Sequence, residues 1–352
     1  MKILINTPSL KILGGVANHY LGLEGFWTET VKYNTVGKRT NAKRSGIFWL
    51  PFDILKFLYR LFVFRPNIVL LNPSLGNSAL KRDFLFLRLA AFLGIKVAVF
   101  IHGFDWEYAK NINSQWIAKN LNKASKIFVL GSAFKKRILS WGVKIPIVLT
   151  TTKVDDNLLK DYDPVAKRSG KVKVILFLAR VERAKGIYIT VDTFAILKKE
   201  YPFLSLKIVG DGEELPRVKQ YVEKLQLNDV VFTGRLSGKD ISEAYESSDL
   251  YSSSSSYGEG MPTAVLEAMA FGLPVFTRNV GGLPDFFEDQ KMGFITDPLD
   301  AKVFAEAMIP YIENQEKTKK VSDYNAHYAK KHFMASQVAR NMEIELLKTI
   351  RS

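Results

Sequence analysis

No cysteine occurs in the sequence, which excludes disulfides, thiolate metal sites and a cysteine nucleophile together. Histidine is nearly as scarce, and its four copies leave so few imidazoles that a zinc centre is not expected. Also missing is an uncharged apolar run long enough to span a bilayer. The nearest approach, from Ile47 to Phe64, is interrupted by Pro51, Asp53, Lys56 and Arg60. The opening MKILINTPSL runs straight into a strand-like segment, without the apolar core and small-residue cleavage site of a secretion signal, so a cytoplasmic protein is expected. Acidic residues are deficient in one half only. Residues 1–150 hold 22 Lys+Arg against 6 Asp+Glu; taken from totals of 50 and 35, this leaves 28 against 29 for the rest. The whole net charge of +15 therefore comes from the first half, and points to an anionic partner there: lipid headgroups, nucleic acid or an acidic polymer.

What is present is an α/β pattern. With 352 residues, 47% of them hydrophobic, the chain can bury a large core and is long for one domain. Short β-branched runs alternate with helical stretches, as in parallel sheets covered on both faces. Strands are expected at 2–6, 68–71, 97–101, 127–130 and 147–149, then at 172–178, 205–209, 230–233, 250–252, 274–277 and 293–295. Helices are expected between them, at 52–64, 83–93 and 133–140 in the first half and at 187–199, 213–225, 239–247, 263–271 and 301–313 in the second. Polar residues 151–171 read as the connection between two doubly wound units. Two further helical stretches, 317–332 and 336–350, end the chain.

The strongest local signal is Tyr257-Gly-Glu-Gly-Met-Pro-Thr-Ala-Val-Leu-Glu-Ala-Met. Pro262 suits the first turn of a helix, and Gly258 and Gly260 allow the backbone to approach a ligand closely. The amides of Met261, Thr263 and Ala264 would then receive a phosphate. Glu259 before this helix and Glu267 one turn beyond Thr263 can face one pocket and accept hydrogen bonds from sugar or ribose hydroxyls. A second cluster, Phe177-Leu-Ala-Arg-Val-Glu-Arg-Ala-Lys-Gly186, ends a buried strand. Arg180 and Lys185 can converge there, two cations against the two charges of a pyrophosphate, so that no magnesium is required. Gly14 and Gly15 serve either close approach to a phosphate or a turn at positive φ. Gly281, Gly282 and Leu283 offer consecutive amides for a second anion nest.

These motifs, with Val209-Gly-Asp-Gly212 and Gly281-Gly-Leu-Pro284, resemble the retaining glycosyltransferases of family 4, of GT-B architecture, in order and spacing over nearly the whole chain. The resemblance implies two facing Rossmann-like, doubly wound parallel-sheet domains: 1–160 for the acceptor, 161–333 for the donor, and a final helix, 334–352, crossing back to the first. It implies that Glu267 holds the donor ribose, Glu259 contacts the transferred sugar, and Arg180 and Lys185 neutralise the leaving diphosphate. Gly15, Gly260, Met261, Pro262 and Thr263 would complete the donor site, and Gly234 and Arg235 would meet the base. His102, at the end of a strand in Ile-His-Gly-Phe-Asp105, would contact the sugar, with Asp105 orienting the ring. Two departures are small: Ala179 stands where the family has Gly, and Asp285 where it has Glu.

The implied partners are a nucleotide sugar and a glycan or lipid-linked acceptor, with no cofactor, no metal and no nucleic acid. Segment 47–65 is aromatic-rich, with cations at Lys56, Arg60 and Arg65. Its apolar faces are expected in the core of a Rossmann-like domain, whereas the charge excess suggests peripheral attachment to an anionic membrane. A GT-B epimerase or phosphorylase is the alternative from the same architecture. A nucleic-acid-binding protein is disfavoured by the acidic pair at the phosphate site and by the lack of any nucleic-acid motif.

Overall fold

The computed structural model describes residues 1–352 except 13, 38, 40–48, 76, 168–170, 257, 259 and 352. The chain forms two compact units, one of Met1–Lys153, Gly258–Met261 and Ala335–Ser352, the other of Val154–Tyr257 and Pro262–Met334.

In the first unit the elements run β1 (Lys2–Thr7), α1 (Gly15–Leu23), β2 (Thr30–Thr35), α2 (Leu50–Phe64), β3 (Ile68–Leu71), α3 (Asn77–Phe92), β4 (Lys96–Ile101), α4 (Trp106–Asn111), α5 (Ser114–Leu121), β5 (Lys126–Val129), α6 (Ser132–Ser140) and β6 (Ile147–Leu149). Its six strands pair in parallel in the order β2-β1-β3-β4-β5-β6. The central strands are apolar at nearly every position because helices cover both faces. Strand β2 was not expected from the sequence. It lies at the sheet edge, where Thr30-Val-Lys-Tyr-Asn-Thr buries only Asn34, so no apolar run marks it.

In the second unit follow α7 (Pro164–Lys167), β7 (Val174–Leu178), α8 (Ile187–Glu200), β8 (Ser205–Val209), α9 (Leu215–Lys224), β9 (Val230–Gly234), α10 (Lys239–Glu246), β10 (Leu250–Ser253), α11 (Thr263–Ala270), β11 (Val275–Arg278), β12 (Gly293–Thr296), α12 (Ala301–Glu313) and α13 (Gln315–His332). The parallel order is β12-β11-β10-β7-β8-β9, and the core packs Phe177, Val191, Phe194, Ile208, Phe276 and Phe304 between sheet and helices. Val154 enters this unit by bridging to Met334, which is why the division falls at Lys153 rather than further along the connection.

The last helix, α14 (Ala335–Arg351), belongs to the first unit. Val338, Ala339, Met342 and Leu346 are its buried stripe. Glu343 latches it: its carboxylate accepts from Thr28 N (2.8 Å), Thr28 Oγ1 (2.7 Å) and Glu29 N (2.8 Å). Lys126 adds an ion pair to Glu345 at 2.8 Å.

One expectation about α2 needs correction. Phe57, Leu61 and Phe64 are buried as a Rossmann-like helix requires, but Phe52, Leu55, Tyr59, Phe62 and Val63 are exposed. The helix is apolar on two opposite sides, and a single sheet can cover only one.

Candidate functional site

Both sheets reverse their strand order at one point, and in open α/β sheets that is where a crevice opens beyond the carboxyl ends. In the second unit the reversal lies between β7 and β10, and the loop after β7 carries Arg180 and Lys185. This loop is held on two sides. Toward β8, Ala179 N donates to Val209 O (3.2 Å), Val181 N to Asp211 O (3.0 Å) and Glu214 N to Val181 O (3.1 Å). A Cβ at Gly210 would collide with the Ala179 carbonyl and one at Gly212 with the Val181 backbone, so the Gly-Asp-Gly sequence is a packing requirement of this loop. Toward β10, Ser254 Oγ donates to Gly186 O (2.8 Å) and Ser256 N to Ala184 O (2.8 Å). Gly186 has φ 79°, and a Cβ there would strike Ser254. The loop is therefore rigid. Arg180 is exposed and paired with Glu182 at 2.5 Å, while Lys185, half-buried, closes a single 3-10 turn.

Beyond β10, helix α11 opens at Thr263 without a side-chain cap, so its first amides remain suited to an anion. Glu267 follows on the half-exposed edge of this helix. Its carboxylate is oriented by the fully buried Tyr245, whose hydroxyl donates to Oε2 at 2.8 Å.

In the first unit the reversal lies between β1 and β3, and a row of polar side chains crosses the strand ends. Asn34 Nδ2 donates to Asn6 Oδ1 at 3.0 Å, and Asn72 Nδ2 donates to Asn6 O at 2.8 Å. That second bond fixes the Asn72 amide, so Oδ1 faces both the Tyr20 hydroxyl (2.5 Å) and His102 Nε2 (3.0 Å). A carbonyl oxygen only accepts; Nε2 therefore carries the proton, and Nδ1 is the acceptor nitrogen. Phe100 lies against the His102 ring at 3.7 Å between centroids, with His19 at 5.1 Å and Tyr20 at 5.8 Å. Burial, and then the neighbouring His19, hold the His102 pKa well below 6.5, so the ring is neutral at physiological pH.

Residues 160–328 match the family model for glycosyl transferases group 1. They form a glycosyltransferase group 1 domain. Among curated relatives, an uncharacterized glycosyltransferase of Haemophilus influenzae is 31% identical over 62% of this chain and 62% of its own length. A putative colanic acid biosynthesis glycosyltransferase, WcaL, of Escherichia coli is 28% identical over 39% of this chain and 35% of its own. The chain thus aligns with less than two thirds of either relative. Among solved structures, Anabaena HepE in complex with UDP superposes at TM-score 0.78 with 18% identity, covering 99% of this chain and 100% of that one. HepE has also been solved with UDP-glucose, at TM-score 0.72, 19% identity and the same coverages. At such identity the likeness establishes the fold: GT-B, built from two Rossmann-like units.

Within the glycosyltransferase group 1 domain, Arg180, Lys185, Thr263 and Glu267 all follow the two strands at the reversal. Gly234 ends β9 at φ 71°, and Arg235 after it is exposed. Several expectations are revised. Pro262 is the residue before α11 rather than in its first turn, with an extended backbone (φ −72°, ψ 102°). Gly260 and Met261 cluster with the first unit, and what Gly260 admits is the carbonyl of His102, into which a Cβ would run. Leu283 N donates to Val280 O at 3.2 Å, which removes it from the second anion nest. Gly14 is extended at φ 167° and nothing lies near a Cβ at Gly14 or Gly15, so the turn at positive φ is not their reason; Gly15 starts α1, again without a side-chain cap. Asp105 caps α4, accepting from Tyr108 N at 3.0 Å. Glu259 lies outside the described residues. Reasoning from sequence missed Asn72, Tyr20, Tyr245 and Ser254. Only Asn72 left a trace, as the polar residue directly after the buried run Ile68–Leu71; the others depend on partners 22 to 68 residues away.

Proposed function

We propose that this protein is a retaining hexosyltransferase that moves a sugar from a nucleoside diphosphate donor to a glycan acceptor carried on lipid, without a metal ion. The observation that carries the reading is the clamped loop at the β7/β10 reversal. It carries Arg180 and Lys185, and the other strand of the reversal, β10, leads to the uncapped helix α11, whose Glu267 accepts from Tyr245 of α10. Fixed cations and amides of this kind stabilise charge that develops on a departing diphosphate. Glu267 takes the ribose hydroxyls, Gly234 and Arg235 the base, and Glu259 the transferred sugar. Neutral His102 accepts from a sugar hydroxyl through Nδ1. In the reaction the C1–O bond to phosphate breaks with its electron pair left on the phosphate oxygen. The acceptor oxygen then bonds C1 on the same face, and its proton passes to that phosphate oxygen.

The UDP and UDP-glucose bound to HepE, which shares this fold, make UDP-sugars the first donors to try, and the colanic acid role of WcaL supports a polysaccharide acceptor. Calorimetric titration with UDP-, GDP- and ADP-sugars in the presence of EDTA tests the donor. NMR of the product tests the anomeric outcome. Binding of one donor class with an α-linked product from an α-donor is expected. No binding of any nucleotide sugar, or an inverted product, rejects the reading.

A further inference from the structure

The outer side of α2 presents Phe52, Leu55, Tyr59, Phe62 and Val63, each 54–68% exposed, at spacings that align on one side of a helix. Trp49, 48% exposed, extends the stripe by one turn. A contiguous aromatic and aliphatic ridge of this length in water is unusual for a soluble surface. The only acid of the helix, Asp53, is buried and engaged by Gly37 N at 2.8 Å and by Arg39. Every other charge on the helix or at its end is a cation: Lys56, Arg60 and Arg65. Arg39, whose charge offsets that of Asp53, also lies against the ridge, its guanidinium 4.5 Å from the Trp49 ring centre and 5.8 Å from that of Phe52. Burial, then the nearby Arg60 and Arg39, hold the Lys56 ammonium below its usual pKa, a crowding that an anionic surface would relieve.

Charge selects the occupant. A second copy related by a two-fold axis would bring these cations against their own images, whereas a bilayer containing anionic lipid offers phosphates for the cations and an apolar boundary for the ridge. Aromatic rings with a polar tip, such as Trp49 and Tyr59, favour that boundary. We propose that the outer face of α2 seats this protein on an anionic membrane, with Phe52, Leu55, Tyr59 and Phe62 entering the headgroup–acyl boundary and Lys56 and Arg60 meeting lipid phosphates. This deepens the reading of a lipid-borne acceptor and rests on it for its purpose, but not for its test.

The full chain is sedimented with phosphatidylcholine vesicles with and without phosphatidylglycerol. Wild type binds the anionic vesicles. Leu55→Asp/Phe62→Asp lowers the partition coefficient on the order of a hundredfold, since burying one large apolar side chain is worth about tenfold or more. Lys56→Ala and Arg60→Ala each cost roughly fivefold. Because Leu55 and Phe62 are exposed, melting of the double aspartate variant stays that of wild type. With no native cysteine, a fluorophore placed through Phe62→Cys shifts to the blue on vesicles and one placed through Val231→Cys, an exposed site on β9, does not. Wild type that ignores anionic vesicles, or a double aspartate variant that binds them as wild type does, overturns the proposal. So does a wild-type dimer that this variant turns into a monomer. Titration of UDP-glucose into the same variants separates the two readings: loss of donor binding in every sample strikes the transferase function and leaves the membrane result standing.

Discussion

Acidification should weaken the first unit through one buried imidazole. His19, on α1, is 2% exposed, and among the described residues neither of its ring nitrogens has a protein partner. Tyr20, Phe100 and His102 enclose it at 5.0, 5.5 and 5.1 Å between ring centres. Burial first, and the charge of Lys153 second, lower its pKa from 6.5 to about 3. Since the unfolded chain binds a proton more readily than the folded one, the contribution to stability is complete above pH 6.5 and is lost as pH falls toward 3. The loss is about 1.4 kcal/mol per pH unit within that window, which makes roughly 2 kcal/mol between pH 7 and pH 5 for His19 alone. His102, depressed in the same direction, adds to it with the same sign. All five tryptophans precede residue 150, so fluorescence excited selectively at tryptophan during urea unfolding reports this unit. The urea midpoint should drop by roughly 1 M over that pH interval in wild type, and by markedly less in His19→Leu, which keeps the volume and removes the titration. Equal slopes for the two proteins would refute the assignment of this pH dependence to His19.

Other expectations concern the two strand-end sites and the terminal helix. Tyr245→Phe removes the 2.8 Å donor to Glu267 and should raise the Kd for the nucleotide sugar about tenfold, a charge-assisted bond being worth about 1.5–3 kcal/mol; calorimetry showing an unchanged Kd would count against Glu267 as the ribose ligand. Asn72→Leu takes away the acceptor of His102 Nε2–H and should lower kcat on the order of tenfold or more while donor Kd stays within about twofold, a split that kinetics and titration separate. Gly186→Ala forces a side chain onto a φ of 79° against Ser254 and should cost the second unit more than about 1 kcal/mol, read as a lower melting temperature with weaker donor binding. Glu343→Ala leaves Thr28 and Glu29 without their carboxylate and should cost about 1.5–3 kcal/mol, the worth of hydrogen bonding to a charged group, visible as faster proteolytic loss of α14.

Much of the fold was legible because parallel strands buried on both faces must be apolar throughout, which makes runs such as Ile68–Leu71 and Val174–Leu178 stand out. The miss at β2 has the converse cause: an edge strand with Lys32, Tyr33 and Asn34 pairs through its backbone and needs no apolar signature. Helix α2 was legible as a helix but not as to what covers it, since its two apolar stripes look alike in sequence and only packing shows which one meets the core.

The candidate site divides in the same way. By itself the sequence determined which residues follow the strand ends, because glycines, Pro262 and the charged residues among them break the apolar pattern where ligands bind in this architecture. Tertiary structure alone decided how those residues are held: the tautomer of His102 through Asn72, the orientation of Glu267 through Tyr245, and the rigidity of the Arg180 loop through Gly210 and Ser254. Those bonds join groups far apart in the chain. Their geometry comes from the order in which the strands are laid side by side, which no local pattern of residue types encodes.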